Sequence, residues 1–427
     1  MRWADRADGA SMAAAGSVQR WRGSGLGQLT DDHLHTHELS TGTDRLRGVP
    51  FLVGGSAFAP VPGRCGAWRG WPDAVLWVPR WVVVRNDTGR LAVSHVIAVP
   101  ADSPAALARR MADERRRLVG WVVGQGSDSD SSGRAHRLLS DQADAMPVEE
   151  SAPSWCARVG AARQAIRDDF EGGLDKVVLA RAAIERPEPG CRWTPLGTMR
   201  ALRQRNPQAF TFLIHNERGG VLVGATPELL ARKQGKRLET EALAGTAARG
   251  ASPERDTDLA AGLLASAKER YEHAIVVERI VDALRSIGGT VARDAVPHVT
   301  RLPHVHHLKT RITASLPGDV GLVDAIGALH PTPAVGGSPY AAASLWLRNH
   351  EALDRGWYGA PVGWLDAGGN GVFAVAIRSA LMTADSALLF AGAGIVCDSD
   401  PKREWIETEL KLGVIRDALR SEPEGDA

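Results

Sequence analysis

Only four of the 427 residues are cysteine, and Cys65, Cys156, Cys191 and Cys397 lie far apart with no CxxC pair among them. That spacing argues against a zinc site or a disulfide framework and predicts free thiols in a reducing compartment, the cytoplasm. No apolar run approaches the roughly 18 residues a membrane span needs, and stretches such as Leu118–Val123 stop far short. Charge of one sign is also lacking. The 51 basic residues meet 50 acidic ones, a formal +1, which gives no case for a nucleic acid or a membrane surface as partner. The stretch from Met1 to about Asp32 has no apolar core flanked by a cleavage site, so a secretory leader is not expected. GxSxG and HExxH are missing, no GxGxxG opens a strand-to-helix turn, and no GK[ST] follows Gly392-Ala393-Gly394. Hydrolase, zincin and dinucleotide readings lose their support.

What is present has a globular texture, 44% hydrophobic and 24% charged. The length allows two or three domains or one large one. Residues 1–40 read as a flexible N-terminal arm. Residues 41–150 read as a strand-rich part with apolar runs at Phe51–Val53, Ala74–Val78, Trp81–Val84 and Leu91–Val99. A helical stretch from Pro104 to about Val119 follows, then a Ser-, Asp- and Gly-rich flexible connection at about 124–150. Residues 151–427 alternate long helices with clusters of strands. Helices are expected over Trp155–Phe170, Pro195–Arg205 (Thr194 as N-cap), Ser252 to about Ile287 with a break, and Pro401 to about Leu419. Strands are expected over Lys176–Ile184, Ala209–Ile214, Val221–Gly224 and Leu229–Lys233, with more between Gly356 and Phe390. The fold class is α+β with antiparallel sheets.

Arginine so dominates the basic residues that there are only seven lysines. Lys176 interrupts an apolar strand and shares a face with Val178 and Ala180. It could snorkel to solvent. As a base at pH 7 it would have to shed a proton at a cost of about 4–5 kcal/mol, less where burial and nearby cations help. Glu228 sits in a turn entering an apolar strand, either as a turn residue or as an acid with a raised pKa. Arg378 is a charge inside another apolar strand, and its planar fork suits a carboxylate. Glu269 and Glu272 stand three apart on one helix face; Glu404, Glu407 and Lys411 form a similar stripe. Carboxylates from two helices would suit magnesium, although two solvated faces would read the same way. The His33, His35, His37 run falls in the expected flexible arm, which argues against metal binding there. His304, His306 and His307 are not spaced as two ligands on one helix face, and His307 is read as structural or substrate-orienting.

Eight blocks then follow in order along the chain. They are LDKVVLARA (Leu174–Ala182), GATPELLARK (Gly224–Lys233), LAGTAARG (Leu243–Gly250), KERYEH (Lys268–His273), HPTPAVGG (His330–Gly337), WYGAPVGW (Trp357–Trp364), AIRS, and GAGIVCDSDPKREWIETELK (Gly392–Lys411). Together they resemble the chorismate-utilising enzymes, and within them the isochorismate synthase group, from about Trp155 to Leu419. Similarity is weaker near Gly54-Gly55 and Trp71 to Arg85. Ala334 in HPTPAVGG and Ala244 in LAGT are the residues that favour this group.

The resemblance implies a large α/β sandwich of two facing antiparallel sheets with helices outside. It implies Lys176 as the base that activates water for attack at C2 of chorismate, and Glu228 as the acid that protonates the departing C4 hydroxyl. Magnesium would be held by Glu272 and Glu407 with Glu269 and Glu404. Arg378, Lys411 and Tyr358 would hold a carboxylate beside Gly392 and Gly394, and Ala244, Thr246, His307 and Ala334 would shape the pocket. No amidotransferase subunit is expected, and the chain should be a monomer. Salicylate synthase, an anthranilate-type aminating enzyme and an inactive binding paralogue are the alternatives.

Overall fold

The computed structural model describes residues 1–5, 11–15, 17, 19–26, 52–79, 81–85, 91–95, 149–216, 220–383 and 385–421. Two ten-stranded sheets carry the architecture, and every pairing in them is antiparallel. The first runs β16 (Gly337–Ser338), β8 (Lys176–Glu185), β20 (Ala387–Ile395), β19 (Ser379–Met382), β10 (Val221–Thr226), β9 (Phe210–His215), β1 (Arg2–Ala4), β2 (Ser11–Ala15), β6 (Trp81–Arg85), β7 (Leu91–His95). The second runs β13 (Thr290–Arg293), β15 (Val305–Ser315), β12 (Arg237–Ala248), β11 (Leu229–Gln234), β18 (Gly371–Val375), β17 (Pro361–Leu365), β4 (Leu52–Ser56), β5 (Ala74–Val78), β3 (Gln19–Gly23). Here β14 (His298–Arg301) pairs with β15 as a branch.

The inner faces of the sheets meet in an aromatic core. Trp68 stacks on Phe390 at 5.7 Å and meets Trp71 edge-on at 5.3 Å, and Trp71 in turn meets Trp357. Helices cover the outer faces. α5 (Ala267–Ser286) and α6 (Leu322–Leu329) bury Val276, Ile280, Leu284 and Ile326 against the second sheet. α3 (Pro195–Arg205) and α8 (Pro401–Arg420) cover the first with Leu202, Leu412 and Ile415. α1 (Ala152–Arg167), the short α2 (Phe170–Gly173) and α7 (Tyr340–His350) close one end around Trp155 and Trp346. Before α5 comes α4 (Pro253–Ala265). Among the described residues no helix is long and apolar enough to cross a membrane.

Local sequence explains the helix ends that matter. Thr194 accepts a hydrogen bond from Gly197 N at 3.0 Å, as its place before Pro195 requires. Ser266 ends α4 and caps α5 at once, its hydroxyl accepting from Glu269 N. That one serine makes the expected break and fixes where the Glu269 and Glu272 face begins. Asp400 accepts from the amides of Lys402 and Arg403, starting α8 one turn before Glu404.

Two expectations fail. The first 23 residues of the proposed flexible arm 1–40 include β1, β2 and β3. Trp3 is 2% exposed and packs on Phe210, and β1 lies between β9 and β2. Short strands of alanine, serine and arginine hide their alternation, since Met12 and Ala14 are the only apolar residues of β2 turned inward. Arg378 is not inside a strand. It stands between β18 and β19 with φ +49°, a left-handed conformation that only a surrounding structure can impose on a non-glycine residue. Residues 27–40, the helix expected at 104–119, the connection at 124–148 and the His33, His35, His37 run lie outside the described residues.

Candidate active site

Strand alternation supplies the first polar group. Lys176, Val178 and Ala180 share the inner face of β8, while Val177 and Leu179 pack outward near α1 and α7. Lys176 is 1% exposed, with Nζ 2.9 Å from Glu272 Oε1. The neighbouring strand β20 passes this contact without a side chain. A Cβ on Gly394 would collide with Glu272 Oε1 and lie 2.7 Å from Lys176 Cε. Gly392 similarly leaves room for Tyr358, whose hydroxyl would stand 3.2 Å from a Cβ there.

A bulge in β12 supplies the second. The register with β15 slips between Ala244 and Thr246, where Gly245 takes φ +78°. Thr246 N then donates to Glu269 Oε2 at 2.9 Å, and its hydroxyl lies 3.2 Å from His307 Nδ1. His307 Nδ1 is also 3.1 Å from the Gly245 carbonyl, and Nε2 is 3.0 Å from Arg378 Nη2. A guanidinium can only donate, so Nε2 accepts and Nδ1 carries the proton. Burial, then the charges of Arg378 and Lys411, hold His307 well below the ordinary histidine pKa, so the ring is neutral. Burial also lowers Arg378 to about 10, which leaves it charged at neutral pH. The buried Tyr358 phenol is pushed up to about 12 and stays protonated.

Glu228 closes the other side from the turn between β10 and β11. It is 4% exposed, and its Oε1 accepts from Thr332 Oγ1 at 3.4 Å. Burial and the neighbouring Glu241 raise its pKa to about 7, against the opposing pull of Lys176 and Lys411.

The four helix glutamates approach one another from α5 and α8, but as lysine pairs. Lys411 Nζ donates to Glu407 Oε1 at 2.6 Å and to the Gly392 carbonyl at 2.7 Å. Lys268 Nζ bridges the helices, 3.1 Å from Glu404 Oε1 and 3.3 Å from Glu269 Oε1. Burial raises Glu404, and Glu407 and Glu272 raise it further; Glu269 is raised by burial and by Glu272 as well. Burial also works on Glu407, but Lys411 outweighs it and holds that carboxyl below its ordinary value. Among the described residues no three His, Cys, Asp or Glu side chains stand together as a ready metal cluster. Each of the four carboxylates has a lysine beside it: Lys176 at Glu272, Lys268 at Glu269 and Glu404, and Lys411 at Glu407.

Twelve of the residues singled out in the sequence line one cavity: Glu228, Ala244, Thr246, Glu272, His307, Ala334, Tyr358, Arg378, Gly392, Gly394, Glu407 and Lys411. The other three stand immediately behind that lining. Lys176 is bonded to Glu272, Glu269 to Thr246 N, and Glu404 to Lys268.

A family model described as chorismate binding enzyme matches residues 1–420. The chain belongs to the chorismate-binding enzymes. It is 38% identical over 380 residues to the salicylate biosynthesis isochorismate synthase of Pseudomonas aeruginosa, covering 87% of this chain and 74% of that one. It is 34% identical over 375 residues to isochorismate synthase MenF of Bacillus subtilis, covering 87% and 75%. The solved structure of MenF, the menaquinone-specific isochorismate synthase of Escherichia coli, superposes with a TM-score of 0.72 at 26% identity, covering 98% of this chain and 88% of the other.

In this chorismate-binding enzyme several buried polar residues escaped the sequence reading. Glu241 sits within the β12 run and is 5% exposed. Its carboxylate accepts from Leu229 N at 3.2 Å and pairs with Lys309. The argument that singled out Lys176, a charge inside an apolar strand, would have found it. Arg355 lines the cavity while donating to the carbonyls of Val178 and Val335 and to Glu351. No motif marks it, because its partners come from three separate segments. His304 lies 3.5 Å from Asp417 and His306 Nε2 lies 2.9 Å from Asp256, so neither joins the cavity chemistry.

Proposed function

We propose that this chorismate-binding enzyme is an isomerase, an isochorismate synthase that exchanges the C4 hydroxyl of chorismate for a hydroxyl at C2. Lys176, as the neutral amine, takes a proton from the water that attacks C2. Glu228 gives a proton to the hydroxyl leaving C4 on the opposite side, and the ring double bonds shift between them. One water enters and one leaves, so the atoms balance, and the exchange is reversible because the two isomeric dienes are nearly equal in energy. The observation that carries the reading is Glu228: a carboxyl with a pKa of about 7 facing the cavity still holds its proton at a pH where an ordinary carboxyl has lost it. Relatives named isochorismate synthase support water as the nucleophile.

Arg378 and Lys411, with the Tyr358 hydroxyl, would bind the enolpyruvyl carboxylate beside Gly392 and Gly394. Neutral His307 orients Arg378, and Ala244, Thr246 and Ala334 shape the space around the ring. Magnesium fits the donor set, because hard carboxylate oxygens from two helices are crowded enough to raise one another's pKa. Glu272 and Glu407 would hold it, with Glu269 and Glu404 contributing. Bound there, it would supply positive charge for the ring carboxylate. The four cysteines are free, which supports a cytoplasmic location. The chain would act as a monomer without an amidotransferase subunit.

Incubating the full chain with chorismate and magnesium and separating the products tests the reading. Isochorismate without pyruvate supports it. Salicylate with pyruvate would make the chain a salicylate synthase, anthranilate on adding ammonium an aminating enzyme, and unchanged chorismate an inactive paralogue.

A further inference from the structure

A second cavity lies against the far side of Arg378. Gln208, Pro227, Arg301, Leu302, His304 and Arg378 are among its walls. It offers room of about 230 Å³, against about 60 Å³ in the central cavity as the side chains stand. The partition between the two is thin. Pro227 faces the outer cavity and the next residue, Glu228, faces the inner one, while Arg378 lines both.

The charge of the outer cavity is positive on balance. Arg249, also in its wall, is held by the Asp256 carboxylate and by the Leu302 carbonyl. His304 stands near Asp417. Arg301 at the exposed rim and Arg378 at the inner wall remain as the cations that bracket the space. Proline and leucine surfaces lie between them.

We propose that the outer cavity is a vestibule for the carboxylated ring substrate, with Arg301 drawing it in at the rim and Arg378 passing a carboxylate through to the central cavity. This rests on the isochorismate synthase reading and adds to it a route of entry and release. The physical reason is desolvation. A dianion moving into a buried site must shed water, and two arginines along the path give a carboxylate a partner before each stage of that loss. Pro227 and Leu302 provide an apolar surface for the ring between the two arginines.

Stopped-flow tryptophan fluorescence of the full chain binding chorismate with magnesium tests the route, once wild-type turnover to isochorismate has been recorded. Gln208→Trp, at an exposed wall position, should plug the vestibule. Its association and dissociation rate constants should fall by a common factor while Kd stays constant, the signature of a narrowed passage. Arg301→Glu should slow association roughly tenfold at low salt and approach wild type as salt is added. Unchanged association in both variants of an enzyme that turns over would overturn the vestibule and leave the function standing. A weaker Kd with unchanged association in Gln208→Trp would overturn it too, by placing that residue in the bound state. Absence of wild-type turnover would remove the function and the vestibule's occupant together. Circular dichroism of both variants establishes that the fold is kept.

Discussion

Glu228 is a buried carboxyl and Glu407 a half-buried one; both face the same cavity, yet they are driven in opposite directions. Glu407 has Lys411 one helical turn away, at 2.6 Å, and is held below the ordinary carboxyl range. Glu228 has a threonine hydroxyl at 3.4 Å and a second carboxylate, Glu241, behind it, and is raised to about 7. Burial pushes both upward, so the partner decides the outcome. A helix offers a lysine at i+4 without effort; a tight turn into a strand offers no such neighbour. The fold thus keeps a proton on Glu228 at its sheet side and negative charge on Glu407 at its helix side.

That contrast can be broken most severely at the chemistry itself. Glu228→Gln should lower kcat by about 10²–10⁴ with the fold intact, and Lys176→Ala should do the same. Near-normal turnover in either variant would remove that residue from the reaction. The next effect is on stability. With a folded pKa of about 7 against an ordinary 4.5, Glu228 favours the folded state fully below pH 4.5, and that contribution is lost as pH rises through 7. Urea denaturation should therefore find Glu228→Gln more stable than wild type at pH 8, by up to about 3 kcal/mol, with the gap closing by pH 4.5. A gap that does not change with pH would contradict the raised acid.

Smaller effects sharpen the comparison. Glu407→Ala should raise the magnesium needed for half-maximal activity about tenfold or more; an unaltered magnesium titration would exclude Glu407 from the metal site. Glu241→Gln takes away the like charge behind Glu228. The limb of kcat/KM that falls as pH rises through about 7 should move to lower pH, by less than about one unit. A limb that stays in place would show that burial alone sets the acid.

Periodicity made much of this legible. Lys176 announces itself as a charge in an apolar strand, and the two glutamate stripes as i, i+3 pairs. Thr194 and Ser252 mark helix starts by rules that need no tertiary information. Arg378 was visible as a residue but not as a bend, because its positive φ is imposed by partners such as Ala225, whose N–H bonds its carbonyl at 3.1 Å. The pairing of Lys176 with Glu272 was hidden for the same reason: the two are 96 positions apart in the chain and meet only through the fold. β1 was misread because three residues are too few to show a period. Its evidence lies in β9, some two hundred positions on.

That short first strand has an outsized mechanical part. Among the described strands it alone joins β9 to the β2, β6 and β7 group. Removing it would not trim a loose end. It would unzip a ten-stranded sheet at an interior seam and leave β9 as a raw edge, open to pairing with other copies of the chain.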